Sequence, residues 1–135
     1  MISNDNVSLV DRAFRALWNG TRGTALKALF ADGFEFRNLS SLDDVTDLRG
    51  LRQRIIAVRS VHPRGHLRVE DMVNSGDLVS VWWSFGNNGR SHFPRTRGAS
   101  QPAVMDGTCM FRLEGSRVIE MWELGGQLMR EPLAQ

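Results

Sequence analysis

The spacing of the apolar residues changes near residue 65, and this change constrains the fold more than any other feature of the chain. Before it, apolar side chains recur every three to four residues, which is typical of amphipathic helices. After it, they alternate with polar residues, which is typical of strands. The first part predicts helices over 6–19, 23–31 and 49–60, with a short strand over 34–38. The second part predicts strands over 66–73, 78–85, 103–113 and 117–124.

The order of these elements predicts an α+β fold, because helices and strands are segregated along the chain. Tight turns at Gly76 and Gly115 join consecutive strands into antiparallel hairpins. We expect a cone-shaped, strongly curved antiparallel or mixed sheet packed on three N-terminal helices, in one domain over 1–135. If the sheet bends strongly, the helices cannot fill its concave side and a pocket remains. The Gly- and Pro-containing stretch 86–102 predicts a long loop, and the sequence of the tail 127–135 has at most a weak helical pattern.

The composition is that of an ordinary globular protein, with 41% apolar and 24% charged residues. No apolar run approaches the roughly 18–20 residues that a membrane span needs, and the first residues lack the pattern of a secretory signal. We therefore expect a cytoplasmic protein without a membrane partner. Cys109 is the single cysteine, which excludes an intrachain disulfide, and its apolar neighbours favour a buried core position over a catalytic thiol.

The basic residues do not indicate a nucleic-acid partner. The net charge is only +2, and the one local cluster consists of Arg49, Arg52, Arg54 and Arg59. A nucleic-acid surface needs a denser basic stripe with stacking aromatic residues. The cluster favours a solvated helix face.

Several short motifs, in this order, resemble the nuclear transport factor 2-like superfamily, and most closely its SnoaL-like branch, the polyketide cyclases. The resemblance implies the cystatin-like roll, a pocket lined by apolar side chains and cofactor-free acid–base chemistry. It covers nearly the whole chain and depends on the segments 14–19, 29–38, 48–50, 62–63, 76–79 and 106–122.

Two positions depart from the family pattern. The acid that such cyclases carry four residues after the strand tryptophan is replaced here by Gly126, counted from Trp122. The histidine that often follows the second long strand is replaced by Asn88. The usual proton-transfer pair is thus absent or relocated, while Asn38 matches a polar position that borders the pocket in relatives.

Acid–base chemistry needs a base near an acidic carbon and a donor for the developing oxyanion. The candidate catalytic residues are Asp106, within the third long strand, His92, in the loop, and Glu120, which shares the parity of Trp122. Each has a plainer explanation: a strand bulge, an exposed loop histidine and a cross-strand salt bridge. Glu123, which has the opposite parity, and Asp71 are weaker candidates.

Large aromatic side chains are the best evidence for a ligand, because flat apolar walls suit a flat aromatic molecule. The alternative is that they only fill the core. Trp82 and Trp83 must point to opposite faces of their strand, and the outward one suggests a homodimer interface. The predicted substrate-binding residues are Phe14, Trp18, Phe34, Phe36, Asn38, Trp82 and Trp122.

No metal or cofactor is predicted, since three dispersed histidines show no ligand spacing. The main hypothesis is a cofactor-free cyclase, isomerase or epoxide hydrolase acting on an apolar, oxygenated, polyketide-like molecule. The alternative is a ligand-binding or accessory protein that does not react, because the family's acid position is Gly126. A third hypothesis is a dimeric interaction module with a filled interior.

Overall fold

The computed structural model describes residues 2–20, 22–41, 43–86 and 105–124. The helices are α1 Ile2–Trp18, α2 Gly23–Leu26 and α3 Leu48–Val61. The strands are β1 Phe30–Asn38, β2 Val45–Thr46, β3 His66–Ser75, β4 Leu78–Gly86, β5 Met105–Glu114 and β6 Arg117–Leu124.

The strands form one six-stranded mixed sheet in the order β2-β1-β6-β5-β4-β3. β1 runs parallel to β6, and every other neighbouring pair is antiparallel. The sheet curls without closing: β2 and β3 are its two edges, and irregularities interrupt three of the ladders. Such bulges bend a strand and increase its twist. The α+β prediction, with three helices on a curved mixed sheet, is confirmed.

The segment after the first helix differs from the prediction. The second helix spans four residues, and β1 begins at Phe30 where a helix was expected. The Val118 N–H donates to the Leu29 carbonyl at 2.8 Å, so the chain joins the sheet directly after the short helix. Asp32 and Gly33, a residue pair typical of turns, lie inside β1, where the pairing with β6 shifts register between Phe30 and Glu35. Pairing with a distant strand has overridden the local helical spacing.

The remaining boundaries lie close to the predicted ones. Asp47 caps α3, since its carboxylate accepts a hydrogen bond from the Gly50 N–H at 2.9 Å, and α3 ends just before His62. An added Cβ at Gly50 would overlap the Thr46 hydroxyl, so the close approach of β2 and α3 requires glycine. The predicted loop 86–102, apart from its first residue, and the tail 127–135 lie outside the described residues.

An aromatic cluster joins α1 to the helix-facing side of the sheet. Phe14 packs edge-on against Trp18, Trp83 and Phe111, with ring centroids 6.5, 6.0 and 5.5 Å away. Trp18 also lies 4.9 Å from Phe85. All five side chains are fully buried. Because each such burial contributes on the order of 2–3 kcal/mol, this cluster anchors α1 to the sheet.

Candidate functional site

One row of side chains crosses the helix-facing side of the sheet and contains its buried polar groups. In this row Asn38 on β1 lies beside Glu123 on β6, Glu123 lies opposite Cys109 on β5, and Cys109 lies opposite Val81 on β4. All four are buried. A carboxyl group, an amide and a thiol are therefore neighbours within an apolar interior.

Glu123 reaches this position through the alternation of β6. Met121 and Glu123 face inward and are fully buried, whereas Trp122 is half-buried and Leu124 is exposed on the outer face. Both carboxyl oxygens of Glu123 are buried. The Glu123 carbonyl accepts a hydrogen bond from the Leu39 N–H at 2.9 Å, which ties the end of β6 to the end of β1. Burial removes the water that would otherwise solvate the carboxyl group, so Glu123 differs from a carboxylate at the protein surface.

The Cys109 thiol lies opposite Glu123 and its pKa responds to the charge of that side chain. Burial raises the pKa of the Cys109 thiol well above its ordinary value, the negative charge of Glu123 raises it further, and the Trp83 indole N–H lowers it. That N–H group makes no well-formed hydrogen bond within the described part of the chain, so its effect is the weakest of the three. The thiol is protonated at neutral pH and is no nucleophile.

Asn38 belongs to a hydrogen-bonded network at the end of β1. Its side-chain amide N–H donates to Asp44 Oδ2 at 3.3 Å, and its side-chain oxygen accepts from the Ser40 N–H at 2.8 Å. Asp44 is held by both guanidinium nitrogens of Arg54, at 2.7 and 3.2 Å. The network fixes the amide beside Glu123.

Two of the three predicted catalytic residues, Asp106 and Glu120, do not lie in this interior. Asp106 is exposed, at the position opposite Ser84. Glu120 is on the outer face and accepts a hydrogen bond from Arg112 Nε at 3.1 Å, which is the salt bridge that the sequence offered as the plainer explanation. His92 lies outside the described residues. Asp71 is exposed, and its carboxylate accepts from the Met72 N–H at 2.9 Å.

The predicted substrate-binding residues divide between the two faces of the sheet. Phe14 and Trp18 are in the aromatic cluster, and Phe34, Phe36 and Asn38 are buried on β1. Trp82 is 52% exposed on the outer face. Trp122 is also on that face, 5.5 Å from the Arg112 guanidinium.

Glu123 is the residue whose position the sequence did not establish. The sequence prediction places Trp122 on the inward face of β6, which places Glu123 on the outward face. The signal that would have corrected this is the apolar row of Cys109 and Phe111 on the paired strand, which requires Glu123 and Met121 to face inward. Using it requires the register between β5 and β6, which the turn alone leaves open because a register shift follows it.

The outer face carries an apolar strip. Trp82, Thr108 and Leu124 are in register on β4, β5 and β6, and Leu124 is 53% exposed. Val73, 61% exposed, borders a groove of about 200 Å³ with Trp82 and Thr108. Apolar groups of this size on a sheet surface are typical of an interaction surface.

The described residues contain no group of three or more His, Cys, Asp or Glu side chains that could hold a metal ion. No helix in the described ranges is long and apolar enough to cross a membrane.

The curled sheet over three helices is the fold of several similar solved structures, one of which is described as NTF2-like. An NTF2-like protein of unknown function from Cytophaga hutchinsonii has a TM-score of 0.58 at 13% identity, with 87% of each chain covered. IdmH, a candidate polyketide cyclase from Streptomyces antibioticus, has a TM-score of 0.66 at 18% identity, covering 87% of this chain and 89% of that one. A candidate isomerase of the SnoaL-like family from Agrobacterium tumefaciens has a TM-score of 0.63 at 13% identity, covering 90% and 97%.

The family follows from the sequence itself. The model of the SnoaL-like polyketide cyclase family matches residues 8–129. The chain belongs to this family, which confirms the resemblance found in its motifs. A comparison with curated proteins found no match.

Proposed function

We propose that this protein is a cofactor-free acid–base enzyme of the cyclase or isomerase type, acting on an apolar, oxygenated, polyketide-like molecule. In this proposal Glu123 transfers the proton. The observation that carries it is the complete burial of the Glu123 carboxyl group beside the Asn38 amide, on the helix-facing side of the sheet. Its support is geometric and chemical, because fully buried carboxyl groups are rare and perturbed ionisable groups cluster at functional sites.

The reaction begins when the Glu123 carboxylate removes a proton from the carbon next to a substrate carbonyl. The electron pair of the broken C–H bond moves to the carbonyl oxygen and forms an enolate. A hydrogen-bond donor stabilises that oxygen, and the Asn38 amide is the neighbouring donor. The enolate then attacks a second carbonyl, which closes a ring, and Glu123 returns its proton to the new alkoxide. Alternatively, the enolate regains the proton from Glu123 at another carbon, which isomerises the substrate.

In this proposal the ligand has to reach the interior row that contains Glu123. Both Glu123 oxygens are buried, and the aromatic cluster occupies the space between α1 and β4. We propose that the interior opens beside the row of Asn38, Glu123 and Cys109. Phe36, buried on β1 opposite Met121, would then form one wall.

Asp106, His92 and Glu120 stay predictions as catalytic residues, as do Trp82 and Trp122 as ligand contacts. The geometry favours Glu123 over Asp106 and Glu120. A carboxylate that is exposed or paired with Arg112 lies at the protein surface and gains nothing from the apolar interior.

Proton exchange on a model ketone tests the proposal without knowledge of the natural substrate. The full-length protein is incubated with methyl naphthyl ketone in deuterium oxide, and loss of the methyl proton signal is followed by NMR. We expect the wild type to accelerate exchange and Glu123→Gln to lose this acceleration by about 100-fold or more, the usual contribution of a general base.

Glu120→Gln is the matched control, since it makes the same change three residues away on the outer face. We expect it to exchange at the wild-type rate. Wild-type exchange by Glu123→Gln, with a folded protein shown by circular dichroism, contradicts the assignment.

The second candidate function is ligand binding without reaction. The observation that favours it is Gly126 at the family's acid position. It predicts that methyl naphthyl ketone quenches tryptophan fluorescence while exchange stays at the rate without protein. The enzyme proposal predicts both quenching and exchange.

We also propose a homodimer formed through the outer apolar strip, supported by the exposure of Trp82, Leu124 and Val73. Sedimentation equilibrium should give a dimer for the wild type and a monomer for Trp82→Glu. Ile56→Glu is the control, because Ile56 is as exposed, at 55%, but lies on α3. A dimeric Trp82→Glu variant contradicts this interface. A single domain over 1–135 and a cytoplasmic location stay predictions of the sequence.

A further inference from the structure

We propose that Asp44 and Arg54 are positioning residues, which lock the Asn38 amide in one orientation with its N–H group available beside Glu123. This inference rests on the proposed function, in which Asn38 donates to the substrate oxygen. Neither Asp44 nor Arg54 contacts the reacting atoms. They act through Asn38, whose side chain they orient.

The ion pair between Asp44 and Arg54 is unusually well enclosed for a loop residue and a helix residue. The Asp44 side chain is 6% exposed and that of Arg54 is 17% exposed. Arg54 Nη2 donates to Asp44 Oδ1 at 2.7 Å, and Nη1 donates to Oδ2 at 3.2 Å, so the planar guanidinium matches both carboxylate oxygens. The guanidinium also lies 5.6 Å from the centre of the Phe36 ring. Asp44 is therefore held as a charged acceptor in a fixed orientation.

This acceptor decides which way the Asn38 amide points. An amide can turn by half a rotation and exchange its oxygen and nitrogen, and only its hydrogen-bond partners select one state. Here the Ser40 N–H requires the amide oxygen, and the carboxylate of Asp44 requires the amide nitrogen. If the amide turned, its N–H group would face the Ser40 N–H and its oxygen would face the Asp44 carboxylate. Both contacts therefore select the same orientation.

Among the described residues, one of the two hydrogens of the Asn38 amide nitrogen has no acceptor. The amide nitrogen of Asn38 carries two hydrogens, and Asp44 is its acceptor among the described residues. Asn38 and Glu123 are direct neighbours in the parallel ladder between β1 and β6. The second N–H group thus belongs to the row that contains Glu123, where a substrate oxygen would need a donor.

The turn itself does not need the ion pair. Main-chain hydrogen bonds already close residues 38–44: the Asn38 N–H donates to the Asp44 carbonyl at 3.0 Å, and the Asp44 N–H donates to the Ser41 carbonyl at 2.9 Å. Replacing a buried ion pair with apolar residues is often neutral or stabilising. Stability alone therefore does not account for a charged pair at this place, and its hydrogen bond to Asn38 is consistent with an orienting role.

The NMR signals of the Asn38 carboxamide test this role directly. Its two hydrogens give separate signals, which are identified by their absence in Asn38→Ser. In the wild type we expect one hydrogen to be shifted downfield and slow to exchange with water. Asp44→Asn removes the charge with little change of shape, and we expect this hydrogen to exchange about tenfold faster, as for loss of one charged hydrogen bond. Arg54→Lys keeps the positive charge but loses the planar group that binds both carboxylate oxygens, and we expect a smaller increase in the exchange rate.

Proton exchange on methyl naphthyl ketone supplies the functional readout. Asp44→Asn should lower the maximal rate about tenfold while the ketone concentration at half-maximal rate stays unchanged. Arg112→Lys, in the exposed ion pair with Glu120, is the matched control for Arg54→Lys and should leave both readouts unchanged. A folded Asp44→Asn variant with a wild-type carboxamide signal and a wild-type rate overturns the proposal.

The two proposals fail in different ways. If Glu123→Gln exchanges like the wild type while Asp44→Asn releases the Asn38 amide, Glu123 has no catalytic role but the orienting network stands. If Glu123→Gln is inactive while Asp44→Asn leaves both amide and rate unchanged, the catalytic role stands and the positioning role is wrong.

Discussion

Glu120 and Glu123 lie three residues apart on β6, and the two faces of the sheet give them different chemistry. Glu120 is partly exposed and shares the Arg112 guanidinium with Asp77. Glu123 is fully buried opposite Cys109 and raises the pKa of its thiol. The same side chain is a surface ion pair on one face and a candidate proton carrier on the other, because the interior withholds the water that stabilises its charge.

The two arginine ion pairs should show the largest difference between interior and surface. Arg54→Gln removes the guanidinium group that binds both oxygens of the buried Asp44 carboxylate, and it should lower the free energy of unfolding by about 3–5 kcal/mol. Arg112→Gln removes pairs whose members are 35–58% exposed and should cost less than about 1 kcal/mol. Urea unfolding of both variants measures the difference. Equal costs would contradict the assignment of Asp44 and Arg54 to the interior.

The adjacent tryptophans sharpen the comparison with side chains of one size. Trp83→Ala removes a fully buried ring that contacts Phe14 and Trp18, and it should cost about 3–5 kcal/mol. Trp82→Ala should stay within about 0.5 kcal/mol in the protomer. Urea unfolding of both variants, at a protein concentration too low for dimers to form, tests this. A larger loss at Trp82 would mean that the two faces have been interchanged.

Gly65 and Gly33 test packing on a smaller scale. A Cβ at Gly65 would overlap the Phe85 ring, whereas a Cβ at Gly33 meets no atom within 4 Å. Gly65→Ala should therefore cost about 1–3 kcal/mol, and Gly33→Ala should be nearly neutral. Thermal unfolding separates them. Similar melting temperatures would show that Phe85 moves aside without cost.

Cys109 provides the smallest effect, a dependence of stability on pH. Its pKa is raised in the folded protein, so the native state holds the thiol proton at pH values where the unfolded chain has lost it. The thiol makes its full contribution to the free energy of unfolding at pH values below its ordinary pKa. This contribution is lost as the pH rises from there through the raised pKa of the folded protein. Cys109→Ala should lose less stability than the wild type over this alkaline range. Parallel curves would contradict the burial of the thiol beside a negative charge.

Local patterns predicted most of the fold but not the orientation of its last strand. The change of apolar spacing near residue 65 gave the helices and hairpins, since periodicity depends on which face is buried. It could not give the start of β1, because Phe30 is drawn into the sheet by Val118, 88 positions away in the chain. The sequence pattern also could not predict the network of Asn38, Asp44 and Arg54. The pattern favours a solvated helix face for Arg54, and only the folded turn brings Asp44 to it.

The same limit explains the site. Parity assigns residues to two faces without saying which face is buried, and the large side chain of Trp122 favoured the wrong one. Arg112 covers that ring from the outside, which a sequence pattern cannot show. Once the inward face of β5 is known, Glu123 becomes the one carboxyl group of β6 in the interior.

Proton exchange on methyl naphthyl ketone by Glu123→Gln and Glu120→Gln is the most direct test of the central claim, that the buried carboxyl group carries the chemistry. The account predicts that Glu123→Gln loses the accelerated exchange and that Glu120→Gln keeps it. Loss of exchange in Glu120→Gln, with wild-type exchange in Glu123→Gln, would place the reaction on the outer face and contradict the account.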